Sequence, residues 1–185
     1  MNNLKLRKMK NVTQVLSEEH QNILKVINIV LEECEQLQYG KTLDKGFFND
    51  IISFIKNYAD GFHHVKEEDI LFKTMLNNEE HMHCNPIPVM LNEHDAGRQY
   101  VKGMELALSQ ENVKNLIENA QGYCYLLQNH IYKEDNILYP MAEQGLDEQQ
   151  KQQIDNSYRK VNAADFFEKN IDDFIKNLEN SMVLK

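Results

Sequence analysis

The sequence predicts an all-α fold: an up-down-up-down four-helix bundle with an additional C-terminal helix. Two observations support this prediction. The 185 residues include only 7 Gly and 3 Pro, too few for a fold rich in turns and strands. Apolar residues also recur at spacings of three and four along four long segments, which is the period of an amphipathic helix. Short polar connections join these segments, as expected for antiparallel neighbours in a bundle.

The bundle is predicted to occupy residues 17–145. Ser17 is a suitable N-cap for its first helix, and Gly40 is a suitable left-handed stop after that helix. Pro88 fits the first position of the third helix. We expect the four helices to span about residues 17–38, 44–76, 88–108 and 112–143.

The remaining residues flank the bundle. Residues 1–16 are predicted to be a polar N-terminal leader, and residues 146–185 a helical extension of the same domain. Asp147 and Gln150 have the spacing of a capping box. The extension is predicted to be interrupted near residues 162–165. It contains no histidine, so we expect it to support the bundle.

Composition excludes several classes of protein. The formal net charge of −9 argues against binding to nucleic acid, because no basic stripe is present to neutralise phosphates. No apolar run approaches the roughly 20 residues of a membrane helix, and no signal peptide is evident. Cys34, Cys84 and Cys124 lie far apart, as is typical of reduced thiols. These features predict a soluble cytoplasmic protein, either monomer or homodimer.

The second predicted helix carries two interleaved histidine–glutamate pairs. His63 precedes Glu67 by four residues, and His64 precedes Glu68 by four residues. Residues four apart lie on the same face of an α-helix, so each pair can point at one cation. The two pairs are rotated by about 100° from each other. We therefore expect one pair to lie inside the bundle and the other beside it.

The pattern returns in the fourth predicted helix. His130 is followed four residues later by Glu134, and an apolar pair ending in an aromatic residue follows, as it does after His63 and Glu67. This match favours His63 and Glu67 as the inner pair. His64 and Glu68 are then expected to flank the site, with Tyr123 on the same side as His130.

Each of the four bundle helices thus places one histidine on its apolar stripe. Burying so many polar groups is costly unless something satisfies them, and a pair of divalent cations would do so. Two carboxylates can bridge two metals about 3.5–4 Å apart, while imidazoles fill the terminal positions. The predicted metal ligands are His20, His63, Glu67, His94, His130 and Glu134.

Nitrogen and oxygen donors without thiolate favour iron or manganese over a closed structural zinc site. The residues alone therefore leave iron and manganese open as the metal pair, with zinc as an alternative in a purified sample. A second group, His81, His83 and Cys84, lies in a polar connection. We interpret this group as ordinary loop residues.

These motifs together resemble the hemerythrin-like, or HHE cation-binding, domain over roughly residues 12–145. The resemblance implies a four-helix bundle with a non-haem di-iron centre and the six ligands named above. The residues that carry it are Glu19-His20, His63 to Glu68 with Leu71-Phe72, Met90-Leu91, Glu93-His94, Gly97-Arg98, His130-Ile131, Lys133-Glu134 and Leu138-Tyr139-Pro140.

Two positions depart from the oxygen-carrying members of that family. Arg98 stands where those members have a second histidine, one turn after the position of His94. Those members also use an aspartate five residues after the last histidine, which here is Asp135. Glu134 matches the histidine–glutamate members better, so Asp135 is kept as the alternative ligand.

The resemblance implies that the iron pair binds or senses a small diatomic ligand, oxygen or nitric oxide. The alternative is an enzyme or stress protein that reduces oxygen, peroxide or nitric oxide, or that assists iron-centre repair. In the enzyme, Tyr58 and Tyr123 are the nearby proton or electron donors, although helical tyrosines usually serve packing. Whether the protein is an enzyme is left open by the sequence.

Overall fold

The computed structural model describes residues 11–78 and 84–183, and helices are its only regular secondary structure in those two ranges, with no strand. The predicted all-α fold class is confirmed. Residues 1–10 of the predicted leader lie outside the described residues, as do His81 and His83. None of the described helices combines the length and apolar character needed to cross a bilayer.

The first helix, α1 (Gln14–Gln38), begins earlier than predicted. Ser17 was expected to cap it, but Ser17 lies inside the helix and its hydroxyl donates to Asp135 at 2.7 Å. Thr13 is the N-cap residue. Gly40 follows the helix with a φ of +94°, the left-handed conformation expected of a glycine stop.

The second helix, α2, is continuous but not uniform. Asp44 caps it by accepting from the Phe47 backbone N–H. A final α turn, Lys73–Leu76, ends the helix. Its middle contains two π-helical stretches, in which hydrogen bonds join residues five apart. The segments in order are Lys45–Phe54 (α), Ile55–His64 (π), Glu67–Phe72 (π) and Lys73–Leu76 (α).

The third helix, α3 (Ile87–Ser109), has Pro88 in its first turn, where a missing backbone N–H costs nothing. The fourth helix, α4, starts as Val113–Lys133. It passes through a π stretch, Glu134–Leu138, and ends as Tyr139–Gly145. Both histidine–glutamate motifs therefore include a change between α and π geometry, a feature common at functional sites.

Helices α1 to α4 form a closed ring of antiparallel neighbours. The start of α1 contacts the end of α4, as the hydrogen bond from the Thr13 backbone N–H to Glu143 shows (2.9 Å). The start of α2 meets the end of α3 through a 2.5 Å ion pair between Lys45 and Glu111. Each helix thus runs opposite to the next, as the up-down-up-down topology requires.

The C-terminal extension consists of two helices, α5 (Glu148–Tyr158) and α6 (Ile171–Val183), with a short 3₁₀ turn, Ala163–Asp165, between them. The predicted interruption and the predicted capping box are both confirmed. Asp147 accepts from the Gln150 backbone, and the Gln150 side chain accepts from the Asp147 backbone.

Aromatic rings attach this extension to the bundle. The Phe174 ring of α6 stacks on Phe54 of α2 with centroids 5.5 Å apart, and Phe167 meets the same ring edge-on at 5.8 Å. Both residues are only 4% exposed. Because burying a phenylalanine is strongly favourable, the extension shares the bundle's core.

The apolar core has two parts with a polar layer between them. The larger cluster includes Ile23, Phe54 and Leu116, and the smaller includes Leu16, Leu71 and Leu138. The two clusters meet on α1, where His20 lies between Leu16 and Ile23. The buried histidines and glutamates described next occupy this layer.

Candidate metal centre

The structure gathers all six residues that the sequence predicted as ligands. Each comes from the apolar stripe of a bundle helix, and each is at most 2% exposed. An ionisable group at that depth requires a partner or a bound ion. The six are His20, His63, Glu67, His94, His130 and Glu134.

Their donor atoms form two overlapping groups, and within each group the atoms lie within 4.8 Å of one another. Glu67 belongs to both. The first group is His20, His63, Glu67 and Glu134, and the second is His64, Glu67, His94 and His130. Two neighbouring cation positions that share a carboxylate are the pattern of a dinuclear metal site.

Glu67 lies between the two groups. Its Oε2 is 3.6 Å from His63 Nε2 and 3.5 Å from His94 Nε2, and this oxygen has no hydrogen-bond partner. Its Oε1 accepts from the Tyr139 hydroxyl at 2.5 Å. The bonded oxygen is thereby held in place, while the unpartnered oxygen faces histidines from two different helices.

Glu134 makes a similar connection from the opposite helix. Its Oε2 is 3.3 Å from His20 Nε2, and its Oε1 is 3.2 Å from His130 Nε2. Neither oxygen has a hydrogen-bond partner, although the side chain is completely buried. Three unpartnered carboxylate oxygens in one buried cluster indicate that a cation belongs there.

The five buried histidines share one arrangement: the Nδ1 of each faces a carboxylate. Carboxylates only accept, so each Nδ1 carries a hydrogen and Nε2 is left as the donor atom for a cation. Such carboxylate–histidine pairs orient the ligands of metal sites. The pairs are His20 with Asp135 (3.0 Å), His63 with Glu19 (3.0 Å), His64 with Asp60 (3.1 Å), His94 with Glu68 (2.7 Å) and His130 with Glu93 (2.9 Å).

The distance between two of these Nε2 atoms shows that the arrangement requires a cation. The Nε2 atoms of His94 and His130 are only 2.9 Å apart. With both Nδ1 atoms facing carboxylates, two Nε2 lone pairs would meet unless a proton or a metal ion lies beside them. The cluster is therefore a cation site in which protons and metals compete for the same lone pairs.

The charges of the cluster shift its acid–base equilibria. Burial lowers the pKa of His20, but hydrogen bonds and charge from Asp135 and Glu134 outweigh it and raise that pKa to about 9. Burial raises the pKa of Glu67 well above its usual value, and the charge of Glu134 raises it further. Without metal, the cluster retains protons that a metal ion would displace.

The carboxylates that face the histidine Nδ1 atoms are called the outer carboxylates below, and two lysines form ion pairs with two of them. Lys66 pairs with Glu19 and Lys133 pairs with Glu93, and these glutamates are the partners of His63 and His130. Sequence reasoning did not assign a site role to these four residues or to Tyr139. The signal was available, because each glutamate immediately precedes a ligand histidine and each lysine follows one by three residues.

The residues that the sequence expected beside the site have distinct positions. Asp135, the alternative ligand, contacts His20 Nδ1 and Ser17. Glu68 contacts His94 Nδ1. His64 lies closer than expected, since its donor atom falls within the second ligand group and its ring is 6% exposed.

Arg98 donates hydrogen bonds to two other outer carboxylates. It donates to Asp60 at 2.9 Å through Nε and to Glu68 at 2.8 Å through a terminal nitrogen. These carboxylates in turn hold His64 and His94. A hydrogen bond from His94, with a smaller contribution from the Arg98 guanidinium, lowers the pKa of Glu68 to about 2.

A cavity of about 270 Å³ reaches the centre from the side of α2, α3 and α4. His64 and His94 lie in its wall, and Gly97 leaves space beside them. Tyr123 also lines it, and the buried hydroxyl of this residue has no hydrogen-bond partner. Tyr58, the other tyrosine considered for a donor role, instead accepts from Asn22 at 3.2 Å.

The donor set fits a metal of intermediate hardness. Nitrogen and carboxylate oxygen suit iron or manganese, and neither of the two ligand groups contains a sulfur atom. Cys34 and Cys124 are buried free thiols in the larger apolar cluster. Burial raises the pKa of the Cys34 thiol to about 12, so it stays protonated.

A comparison with protein families agrees with this geometry. The family model described as the hemerythrin HHE cation-binding domain matches residues 11–142, which is more than half of the chain. No curated protein matches the chain at a significant level. The matched segment contains every residue of the two ligand groups. The chain belongs to the hemerythrin HHE cation-binding domain family, and its buried histidine–glutamate groups are those of a metal-binding member.

Proposed function

We propose that the protein is a non-haem di-iron protein that binds or senses a small diatomic ligand, oxygen or nitric oxide. In this proposal, His20 and His63 would hold one metal, His94 and His130 would hold the other, and Glu67 and Glu134 would be shared between them. All six residues lie within the segment that the family model matches, and each belongs to at least one of the two overlapping ligand groups.

The observation that carries the proposal is the position of Glu67. Its unpartnered Oε2 lies within 3.6 Å of an Nε2 atom from each metal group. A carboxylate that served only packing or an ion pair would not be placed between two bare imidazole nitrogens. A bridging carboxylate requires this placement.

Iron supplies reversible one-electron chemistry and affinity for oxygen and nitric oxide, which zinc does not supply. The chain's own residues perform the remaining tasks. The five outer carboxylates keep the Nε2 lone pairs directed inward. The two apolar clusters on either side limit access of bulk water, so charges in the centre interact more strongly.

The cavity beside His94 supports a ligand-binding role. It gives a small molecule a route to the nitrogen-rich side of the centre, past Gly97 and Tyr123. Burial raises the pKa of Tyr123 well above its usual value. Its hydroxyl therefore remains protonated and is able to donate a hydrogen bond to a ligand in the cavity.

The test is metal analysis combined with an absorption spectrum, recorded on anaerobically iron-loaded protein before and after addition of oxygen or nitric oxide. The expected result is two iron ions per chain and a new absorption band on addition of one of the gases. One metal ion or none per chain would contradict the dinuclear site. Two iron ions with an unchanged spectrum would contradict gas binding.

One observation favours a second candidate, an enzyme that reduces oxygen, peroxide or nitric oxide. Tyr139 is a buried phenol that donates to Glu67, and its oxygen lies 3.3 Å from His20 Nε2. A phenol at this position is able to supply a proton or an electron to the centre. With an excess of a chemical reductant to supply the electrons, repeated turnover of peroxide or nitric oxide would support the enzyme, whereas consumption limited to the iron stoichiometry would exclude it.

A further inference from the structure

The cavity beside α3 is larger than a diatomic ligand requires. Its volume is about 270 Å³, and a water molecule in the liquid occupies about 30 Å³. At that density the cavity has room for roughly nine non-hydrogen atoms, several times the volume of oxygen or nitric oxide. An apolar cavity of about 150 Å³ is already enough for a benzene ring. The size of the cavity therefore indicates an occupant larger than a gas molecule.

The cavity is also a property of one side of the bundle. Helices α1 and α3 share a register that is set by their glutamate–histidine pairs, Glu19-His20 and Glu93-His94. In this register Gly97 of α3 corresponds to Ile23 of α1. Ile23 is 1% exposed, and the cavity that it lines has a volume of only about 10 Å³, enough for at most one water molecule. The space beside Gly97 is thus not required by the shared scaffold.

Each of the three helices around the cavity contributes an apolar residue to its wall. These residues are Ile55 of α2, Val101 of α3 and Leu127 of α4, and each is at most 6% exposed. Removal of apolar surface from water is favourable. A molecule with an apolar body is therefore expected to displace water from this part of the cavity.

The charged side chains of the wall leave no unbalanced charge inside. Lys102 is exposed to solvent, and the others form ion pairs between helices. An ionised ligand would lose its hydration without gaining a counter-charge, which is costly. The cavity therefore favours an uncharged ligand. The ion pairs are Lys56 with Glu105 (2.8 Å), Arg98 with Asp60 (2.9 Å) and Lys133 with Glu93.

One polar group of the wall has an unused hydrogen bond. Tyr123 lines the cavity, and its buried hydroxyl has no hydrogen-bond partner in the described part of the chain. A buried hydroxyl without a partner costs free energy. A ligand that brings an oxygen acceptor to this hydroxyl removes that cost.

We propose that the cavity binds an uncharged organic molecule of the size of a substituted benzene ring, with an oxygen that accepts a hydrogen bond from Tyr123. Its apolar body lies against Ile55, Val101 and Leu127. Acetophenone has this size and chemistry and is a suitable probe. The site includes no metal ion, so it does not depend on the dinuclear centre proposed above.

The first test is calorimetric titration of the full-length protein, once loaded with metal and once after removal of metal by a chelator. Acetophenone is expected to bind both forms with a stoichiometry of one. Absence of binding to either form would overturn the proposal. Binding to the metal-loaded form alone would place the molecule on the metal and would overturn the site described here.

Related compounds test the size and charge of the ligand. Benzoate carries a charge, and 2-acetylnaphthalene has a second ring that exceeds the volume of the cavity. Both are expected to bind much more weakly than acetophenone. Benzoate that binds as tightly as acetophenone would overturn the preference for an uncharged ligand, and 2-acetylnaphthalene that binds as tightly would overturn the assignment to this cavity.

The second test concerns the Tyr123 hydroxyl. Tyr123→Phe is expected to weaken acetophenone binding about 2–10-fold. It should not weaken binding of α-methylstyrene, in which carbon replaces the carbonyl oxygen. Tyr158→Phe is the matched control, because it removes a buried and unpartnered hydroxyl from α5, whereas α2, α3 and α4 line the cavity. Equal affinity of wild-type protein and Tyr123→Phe for acetophenone would overturn the predicted hydrogen bond.

The third test locates the bound molecule. Gly97→Ile introduces the residue that α1 has at the corresponding position and is expected to abolish acetophenone binding. Circular dichroism checks that this variant folds. In wild-type protein, nuclear Overhauser effects from acetophenone protons to the Val101 methyl groups and the Tyr123 ring are expected, and they do not depend on any variant. Their absence at saturating acetophenone, or unchanged binding by folded Gly97→Ile, would show that the molecule binds elsewhere.

Discussion

His94 Nε2 and His130 Nε2 lie 2.9 Å apart at the centre of the bundle, and the other ring nitrogen of each histidine faces a carboxylate. Two imidazoles held in this way need a cation beside them. In the metal-free protein that cation is a proton, and in the loaded protein it is a metal ion. Stability, pH and metal binding are therefore linked.

The first prediction concerns the pH dependence of stability. In the metal-free fold the pKa of His20 is about 9, against its usual 6.5, and the pKa of His130 is also raised because the charges of Glu134 and Glu93 outweigh burial. The stabilisation from these raised pKa values is complete below pH 6.5 and is lost as the pH rises through about 9.

The measurement is the thermal midpoint of unfolding between pH 6.5 and 9.5, with and without metal. The midpoint of metal-free protein is expected to fall across this range. Metal-loaded protein is expected to change less, because the metal has already displaced the protons. An equal fall in both forms would contradict the competition between protons and metal.

The second prediction separates the two acidic residues that follow His130. Glu134→Gln is expected to abolish dinuclear binding, because Glu134 presents both unpartnered oxygens to the centre. Asp135→Asn is expected to weaken binding by only about 10–100-fold, because Asp135 acts through the Nδ1 of His20,. Metal content after dialysis and affinity by chelator competition are the measurements. The reverse order of effects would make Asp135 the ligand.

The sequence predicted which residues meet in the buried cluster more completely than how they are arranged there. His20, His63, His94 and His130 were found because each lies on an apolar stripe, where a buried polar residue stands out. His64 was assigned to the flank because a regular α-helix turns it about 100° from His63. In the structure, Ile55–His64 is a π-helical stretch, and the spacing of apolar residues in the sequence does not reveal π geometry.

Other details depended on contacts between distant segments. Ser17 has the chemistry of an N-cap, but its hydroxyl is bonded to Asp135 of α4, and α1 begins three residues earlier. Tyr139 was recognised only as an aromatic in a repeated pattern, because its hydrogen bond joins it to Glu67 on another helix. Such pairings become visible only in the folded chain.

The third prediction concerns that hydrogen bond. Tyr139→Phe introduces the residue that occupies the matching position of the repeated motif in α2, where Phe72 follows His63 by nine residues. The Tyr139→Phe substitution leaves the buried Glu67 Oε1 without its donor, so we expect metal-free protein to lose about 1–3 kcal/mol of stability. The absorption spectrum of the iron-loaded protein should also shift.

Tyr158→Phe is the matched control, because the Tyr158 hydroxyl is also buried but has no hydrogen-bond partner. It should be neutral in denaturant unfolding and leave the iron spectrum unchanged. Equal effects of the two substitutions would show that the Tyr139 hydroxyl has no particular role at the centre.

The fourth prediction tests whether residues 146–185 fold as part of the same domain. Phe174 is 4% exposed and stacks on Phe54 of the bundle. Phe174→Ala should destabilise the protein by about 3–5 kcal/mol and leave the number of bound metal ions unchanged. A single cooperative unfolding transition should persist in the variant. Separate transitions for the extension and the bundle would show two independently folding units.

The fifth prediction concerns access to the centre through the cavity beside α3. A Cβ added at Gly97 would meet Tyr123 Cε2 at 3.5 Å, an ordinary contact, so the position accepts a methyl group without displacing its neighbours. Gly97→Ala narrows the cavity slightly, and Gly97→Val fills more of it. We expect the observed rate of nitric oxide binding to the reduced iron protein to fall in that order. Metal content should stay constant, because Gly97 contributes no donor atom. Stopped-flow absorption measures the rate, and equal rates in the three proteins would show that ligands reach the centre by another route.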